Sequence, residues 1–166
     1  AYLDHPRHTL LVAVDDATGE VIGTSGIRSG GLKPQFNPAW LVERYDPDAT
    51  AQLVRVFTSR AWRGRGVARA LVRATQHAAW TLPGYRVLAL HSDPRSPGAE
   101  RFWTAAATLI HDDRDGPSGS LHFELEMLPP NDEPATSATT GATTGAATGA
   151  APHDAASSAP TPTRTQ

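Results

Sequence analysis

The chain is organised around residues 51–80, where an apolar strand runs through a glycine turn into a helix. Ala51-Gln52-Leu53-Val54-Arg55-Val56-Phe57-Thr58 crowds Leu53, Val54, Val56 and Phe57 together, the pattern of a buried strand. Further on, Val67, Leu71, Ala74 and Ala78 recur at helical spacing in a segment rich in Ala, Leu and Arg. Arg63-Gly64-Arg65-Gly66 forms the turn between them. A strand entering a helix this way aims free backbone N–H groups and the positive end of the helix dipole at one point, which suits a phosphate. Gly64 and Gly66 remove the Cβ atoms that would hold a ligand off that backbone.

Charge points the same way. Residues 50–91 contain no Asp or Glu, yet Arg55, Arg60, Arg63, Arg65, Arg69, Arg73 and Arg86 all fall there. The whole chain carries a formal charge of −2, so the basic block is local. A local positive field at an anion-shaped turn suggests a phosphorylated ligand. A solvated basic helix face after an ordinary loop is the bland alternative.

Arg63-Gly64-Arg65-Gly66-Val67-Ala68 resembles the Arg/Gln-x-x-Gly-x-Gly/Ala signature of the GNAT acyltransferases, placed as in that family after a strand and at the start of a helix. No Gly-Lys-Ser/Thr follows, as a Walker loop requires, and the three-glycine Rossmann spacing is absent. A second stretch, Leu90-His91-Ser92-Asp93-Pro94 and then Ser96-Pro97-Gly98-Ala99-Glu100-Arg101-Phe102-Trp103, resembles the other half of the family's cofactor site. There the family commonly has Asn-x-x-Ala-x-x-Phe-Tyr, and this chain has Ser96 for the asparagine and Trp103 for the tyrosine. The resemblance spans residues 9–128 and implies an α/β (α+β) fold, a mixed, mainly antiparallel sheet with flanking helices.

Composition sets outer limits. With 166 residues and 39% hydrophobic content, the chain can hold one domain with a real core. Absence of cysteine excludes disulfides, thiolate metal sites and a cysteine nucleophile. No apolar run approaches the roughly 20 residues of a membrane helix. No basic-then-apolar leader opens the chain, so a cytoplasmic location is expected.

Residues 9–14 and 20–27 read as a hairpin joined by Asp15-Asp16-Ala17-Thr18-Gly19. The resemblance implies a strand and two helices before it. Only residues 1–8 stand there, so an N-terminally incomplete domain is expected. Residues 28–49 are long for a hairpin connection, and Phe36, Trp40 and Tyr45 favour packing, so they read as a flap near the acceptor site with a short helix at 39–45. A purely structural insertion is the alternative. A strand at 85–91, a helix from Ala99 to about Ile110, a polar loop at 111–117 and a last strand at 120–128 follow. The domain is thus placed at 1–128. Residues 129–166 are mostly Ala, Ser, Thr, Gly and Pro, with near-repeats of Ala-Thr-Thr-Gly and no large apolar residue, which predicts a disordered tail.

Acyl transfer from a thioester to an amine needs a held donor, a polarised carbonyl, a deprotonated acceptor and a stabilised thiolate. The resemblance implies acetyl-CoA as acyl donor and no metal. Its pyrophosphate falls to the backbone of Arg63, Gly64, Arg65, Gly66, Val67 and Ala68. The pantetheine arm falls to Val56, Phe57 and Thr58, one of whose N–H groups polarises the carbonyl, with Ser96 and Phe102 completing the cofactor site. Where many relatives carry a glutamate base, this chain has Gln52, which cannot take a proton. His91, which titrates near neutrality, is the preferred substitute, ahead of Glu43 and Tyr45. A merely hydrogen-bonded histidine at a strand end is the alternative. Trp103 stands where the family tyrosine protonates the leaving thiolate, but an indole N–H is too weak an acid.

The implied function is N-acetyl transfer to a primary amine, on a small molecule or a peptide, by direct attack in a ternary complex. A non-catalytic CoA-binding or regulatory module is the second reading. Nucleic acid is not expected, since the Arg-Gly-Arg-Gly stretch lacks the interleaved aromatics of single-strand binders. No membrane partner is expected, and a homodimer is compatible with the sequence.

Overall fold

A computed structural model describes residues 4–129. The predicted tail at 129–166 lies, beyond Pro129, outside the described residues. One six-stranded sheet carries the fold, in the order β1-β2-β3-β4-β6-β5. Strands β1 (Thr9–Val14) and β2 (Val21–Ser29) form the expected hairpin. Its loop is tied by Asp15, whose carboxylate accepts from Ala17 N and Thr18 Oγ1. Strand β3 (Thr50–Thr58) pairs antiparallel with β2. Helix α2 (Val67–Thr81) then crosses over, so β4 (Val87–Ser92) lies parallel to β3. All other neighbouring pairs are antiparallel.

The two faces of the sheet are used differently, and the alternation of side chains decides which residue goes where. On one face Leu53, Leu88, Leu90, Leu121, Phe123 and Leu125 meet Val72 and Ala79 of α2 and Trp103 of α3 (Ala99–Ala106). Helix α2 lies close enough to β2 that a Cβ on Gly23 would come within 2.8 Å of Leu71 Cδ1, besides 2.9 Å from Phe57 O of the neighbouring β3. In the same interface the buried Thr75 hydroxyl donates to Leu71 O at 2.8 Å, so the buried Ser25 Oγ donates to Thr75 Oγ1, also at 2.8 Å.

The opposite face receives the long connection between β2 and β3. Its short helix α1 (Ala39–Arg44) buries Leu41, and with Tyr45 that residue packs on Ala89 of β4. Arg44 clamps Glu124 of β6 (Leu121–Leu125) through Nε at 2.7 Å and a second nitrogen at 3.1 Å. The connection is therefore a docked flap, as its aromatic content predicts, although Phe36 and Trp40 stay about half exposed.

One expected element is wrong. The predicted helix from Ala99 to Ile110 ends at Ala106, and residues expected as helix end and polar loop form strand β5 (Thr108–Asp112) instead. Ala105, Ala106 and Ala107 favour helix locally, but Ala107 is extended (φ −144°, ψ 165°) and the chain then pairs with β6. Tertiary pairing overrides the alanine propensity there.

Candidate active site

Pairing between β3 and β4 is short. It runs through Thr50↔Val87, Ala51↔Leu88 and Gln52↔Ala89 and then stops, although both strands continue. Within β3, Arg55 takes a positive φ of 56° and the register against β2 slips between Thr24 and Gly26. Thr24 Oγ1 donates to the displaced Arg55 O at 2.7 Å. Such a bulge bends its strand and raises its twist. The result is a cleft of about 400 Å³ lined by β3 from Leu53 to Val56, by His91 and Ser92, and by Ser96 and Trp103. Beyond Gln52, β3 makes no further rung with β4. An extended amide-bearing chain can pair with a free strand edge.

The glycine turn stands at the end of β3. A 3-10 turn (Arg60–Trp62) leads into Gly64 (φ 75°) and Gly66 (φ 85°), and Gly66 is the N-cap of α2. Both glycines therefore serve the backbone conformation as well as access. A Cβ at either would meet nothing within 4 Å, so the turn is open outward. Arg65 lies over the Trp62 ring, 5.1 Å from its centroid, and Arg63 Nε donates to Thr58 O at 3.4 Å.

On the flap side lies a second cavity of about 340 Å³. Arg28, Lys33, Asn37, Gln52, His91 and His122 are among its lining residues. His91 borders both spaces. It is reachable from solvent through them, yet surrounding protein and the Arg28 charge lower its pKa, partial desolvation being the larger cause.

Behind His91 stands a hydrogen-bonded chain that sequence reasoning missed. Ser118 Oγ is 2.6 Å from Asp113 Oδ2 and 3.2 Å from His122 Nε2. A hydroxyl has one proton, and the ionised Asp113 accepts it, so His122 donates through Nε2–H and keeps a lone pair on Nδ1. His122 is 3% exposed. Burial first, then the neighbouring His91 and His111, push its pKa down to about 4. Bonds from Ser118 hold Asp113 below the usual carboxylate range. The signal available in sequence was the alternation Leu121-His122-Phe123-Glu124-Leu125, which puts His122 and Glu124 on the face away from the apolar core.

Of the residues expected at the site, Val56, His91, Ser96 and Trp103 line the one cleft. Phe57 and Thr58 continue β3 past it, and residues 63–68 follow at its end. Phe102 lines a different groove, between α2 and α3, together with Arg69, Arg73 and Arg101. Trp103 is 7% exposed and stacks edge-to-face on Phe102, so it belongs to the core and to the cleft wall together. Gln52 is buried and structural: its Nε2 donates to Gly30 O and Gly31 O, both at 2.7 Å, and its Oε1 accepts from Arg28 at 2.5 Å. Glu43 is exposed on α1, and Tyr45 is buried under it, where desolvation raises its pKa. Among the described residues no cluster of His, Cys, Asp or Glu could hold a metal ion, and no helix is long and apolar enough to cross a membrane.

The parallel β3–β4 ladder thus stops short beside a glycine turn that opens a helix. The acetyltransferase (GNAT) family model matches residues 1–107, and the chain belongs to that family. Its fold is shared by Arabidopsis thaliana NAA60 in complex with acetyl-CoA (18% identity over 73% of this chain and 77% of that one, TM-score 0.54). It is shared too by the GNAT domain of S. lividans PAT (24% identity, 72% and 61% covered, TM-score 0.54) and by Tetrahymena GCN5 (17%, 80% and 76%, TM-score 0.51). No curated protein matches the sequence.

Proposed function

We propose that the chain is an N-acetyltransferase that moves an acetyl group from acetyl-CoA to a primary amine within a ternary complex. The observation that carries this reading is the position of His91, between the β3–β4 cleft and the flap cavity. Acetyl-CoA supplies the activated acyl group. The freed edge of β3 at Val56, Phe57 and Thr58 binds the extended pantetheine arm and points an N–H at the thioester carbonyl. The backbone of residues 63–68 holds the pyrophosphate, in a region whose side chains include Arg60, Arg63 and Arg65.

The acceptor enters from the flap cavity, and His91 takes the proton that its ammonium must lose. A lowered pKa keeps the imidazole neutral, hence able to accept, at pH 7. As the C–N bond forms, the C–S bond breaks and the thiolate departs. Water protonates it, since Trp103 cannot. Gln52, with both ends of its amide engaged, takes no part in proton transfer.

That absence of a side-chain acid and of the glutamate base favours the second reading, a CoA-binding module without turnover. Calorimetry with acetyl-CoA and a turnover assay over a panel of amines test both. Binding with turnover supports the transferase, binding without turnover supports the module, and no binding overturns both.

A further inference from the structure

We infer that the acceptor is a small amine that also bears an anionic group, a carboxylate or a phosphate, seated on Arg28 and Lys33 while its amine meets His91. The inference rests on the transferase reading for the role of the flap cavity. Its own evidence is the charge of the cavity wall. Arg28 and Lys33 line it beside His91 and His122, which are neutral at pH 7, and no Asp or Glu does. None of the ion pairs among the described residues involves Arg28 or Lys33.

Carboxylates close to the cavity are already committed. Asp113 sits behind Ser118 and accepts from its N–H at 2.8 Å and its hydroxyl at 2.6 Å. Glu124 is held by Arg44. A polycationic acceptor would therefore meet like charge and find no free carboxylate in the wall, a mismatch that costs affinity. An anion finds the reverse. Arg28 gives one nitrogen to Gln52 Oε1, which fixes its plane and leaves the rest of its fork for a planar anion.

On the amine side the cavity offers the neutral imidazole of His91 as acceptor. Asn37 lines it, with Nδ2 donating to Lys33 O at 2.9 Å, and its buried Oδ1 has no partner. Gln52 faces Arg28 on one side and Ala89 on the other, and His91 lies two residues beyond Ala89 on the same face. Anion and amine are thus received by β2 and β4, whose backbones lie two strand spacings (about 10 Å) apart across β3, a gap that the long Arg28 side chain spans in part. A cavity of about 340 Å³ holds the reacting part of an amino acid or of a phosphorylated amine.

The test uses the full chain and matched amines: an α-amino acid against its amide, O-phosphoethanolamine against ethanolamine, and spermidine as polycation. Calorimetry without acetyl-CoA reads binding, and the acetyl-transfer assay reads kcat/KM. An anionic member should exceed its neutral partner by about tenfold or more in both, the size of one charged hydrogen bond. Which of the two anions wins assigns carboxylate or phosphate. Arg28→Gln should erase the preference, and exposed Lys33→Gln, which spares Gln52, should reduce it. Preference for spermidine, or an anion preference untouched by both substitutions, would overturn the inference. Anionic amines that bind through Arg28 without being acetylated would leave the anion site standing and remove the transferase reading instead.

Discussion

Gln52 faces Ala89 in the last rung of the β3–β4 ladder, and the side chain of Gln52 simultaneously ties down Gly30 and Gly31 at the root of the flap. The point where the sheet opens is thus also the point where the flap is anchored. An arginine can only donate and a carbonyl can only accept, so the amide orientation is dictated by its partners.

Replacing this residue by glutamate should accordingly harm the protein. In Gln52→Glu a carboxylate faces two carbonyl oxygens in a buried site, and the gain at Arg28 does not restore the two lost bonds. We expect a loss of about 1–3 kcal/mol and faster proteolysis within residues 30–49. An unchanged melting temperature and an intact flap would show that the amide is not what holds it.

The glycine turn predicts graded losses of CoA affinity. Gly66→Asp adds strain at φ 85° and places a negative charge where the pyrophosphate is expected, so binding should vanish. Gly66→Ala adds the strain alone, about 1–2 kcal/mol, and should weaken binding less. Arg63→Ala should weaken it modestly, because backbone donors remain. Wild-type affinity in a folded Gly66→Asp protein would remove the site assignment.

Trp103 separates packing from chemistry. Trp103→Ala should cost about 3–5 kcal/mol, as expected for a core aromatic. Trp103→Tyr should fold and turn over at an equal or higher rate, since a phenol of pKa about 10 can donate a proton. Trp103→Phe should cost little. A loss near a hundredfold in Trp103→Phe, with CoA affinity intact, would mean that the indole hydrogen-bonds the departing sulfur.

His122 makes stability depend on pH. Its pKa in the folded state, about 4, lies below the ordinary value of 6.5, so the unfolded chain binds more protons between these limits. Stability is full above about pH 6.5 and falls as pH drops toward 4, by no more than about 3 kcal/mol from this group. His122→Gln should flatten that part of the profile. Melting temperatures from pH 7 to pH 4 that fall equally in both proteins would locate the effect elsewhere.

Much of this protein is determined within short windows of sequence. The strand, glycine turn and helix over residues 51–80 depend on residue spacing, glycine freedom and helix propensity, all of them local, and the structure repeats them nearly residue for residue. The hairpin at β1 and β2 is of the same kind.

What the tertiary structure alone decided is how distant segments complete one another. Thr108–Asp112 became a strand because β6 was there to pair with it, against the pull of three alanines toward helix. Arg44 and Glu124, 80 residues apart, fasten the flap. Ser118 passes between Asp113 and His122 only because the β5–β6 turn folds back on its own strand. A bulge at Arg55 and a ladder that stops at Gln52 open the cleft, and neither has a local signature, because both depend on the register between strands. Propensity acts over a few residues, whereas rungs, ion pairs and cavities are set by which surfaces the whole chain can bury together.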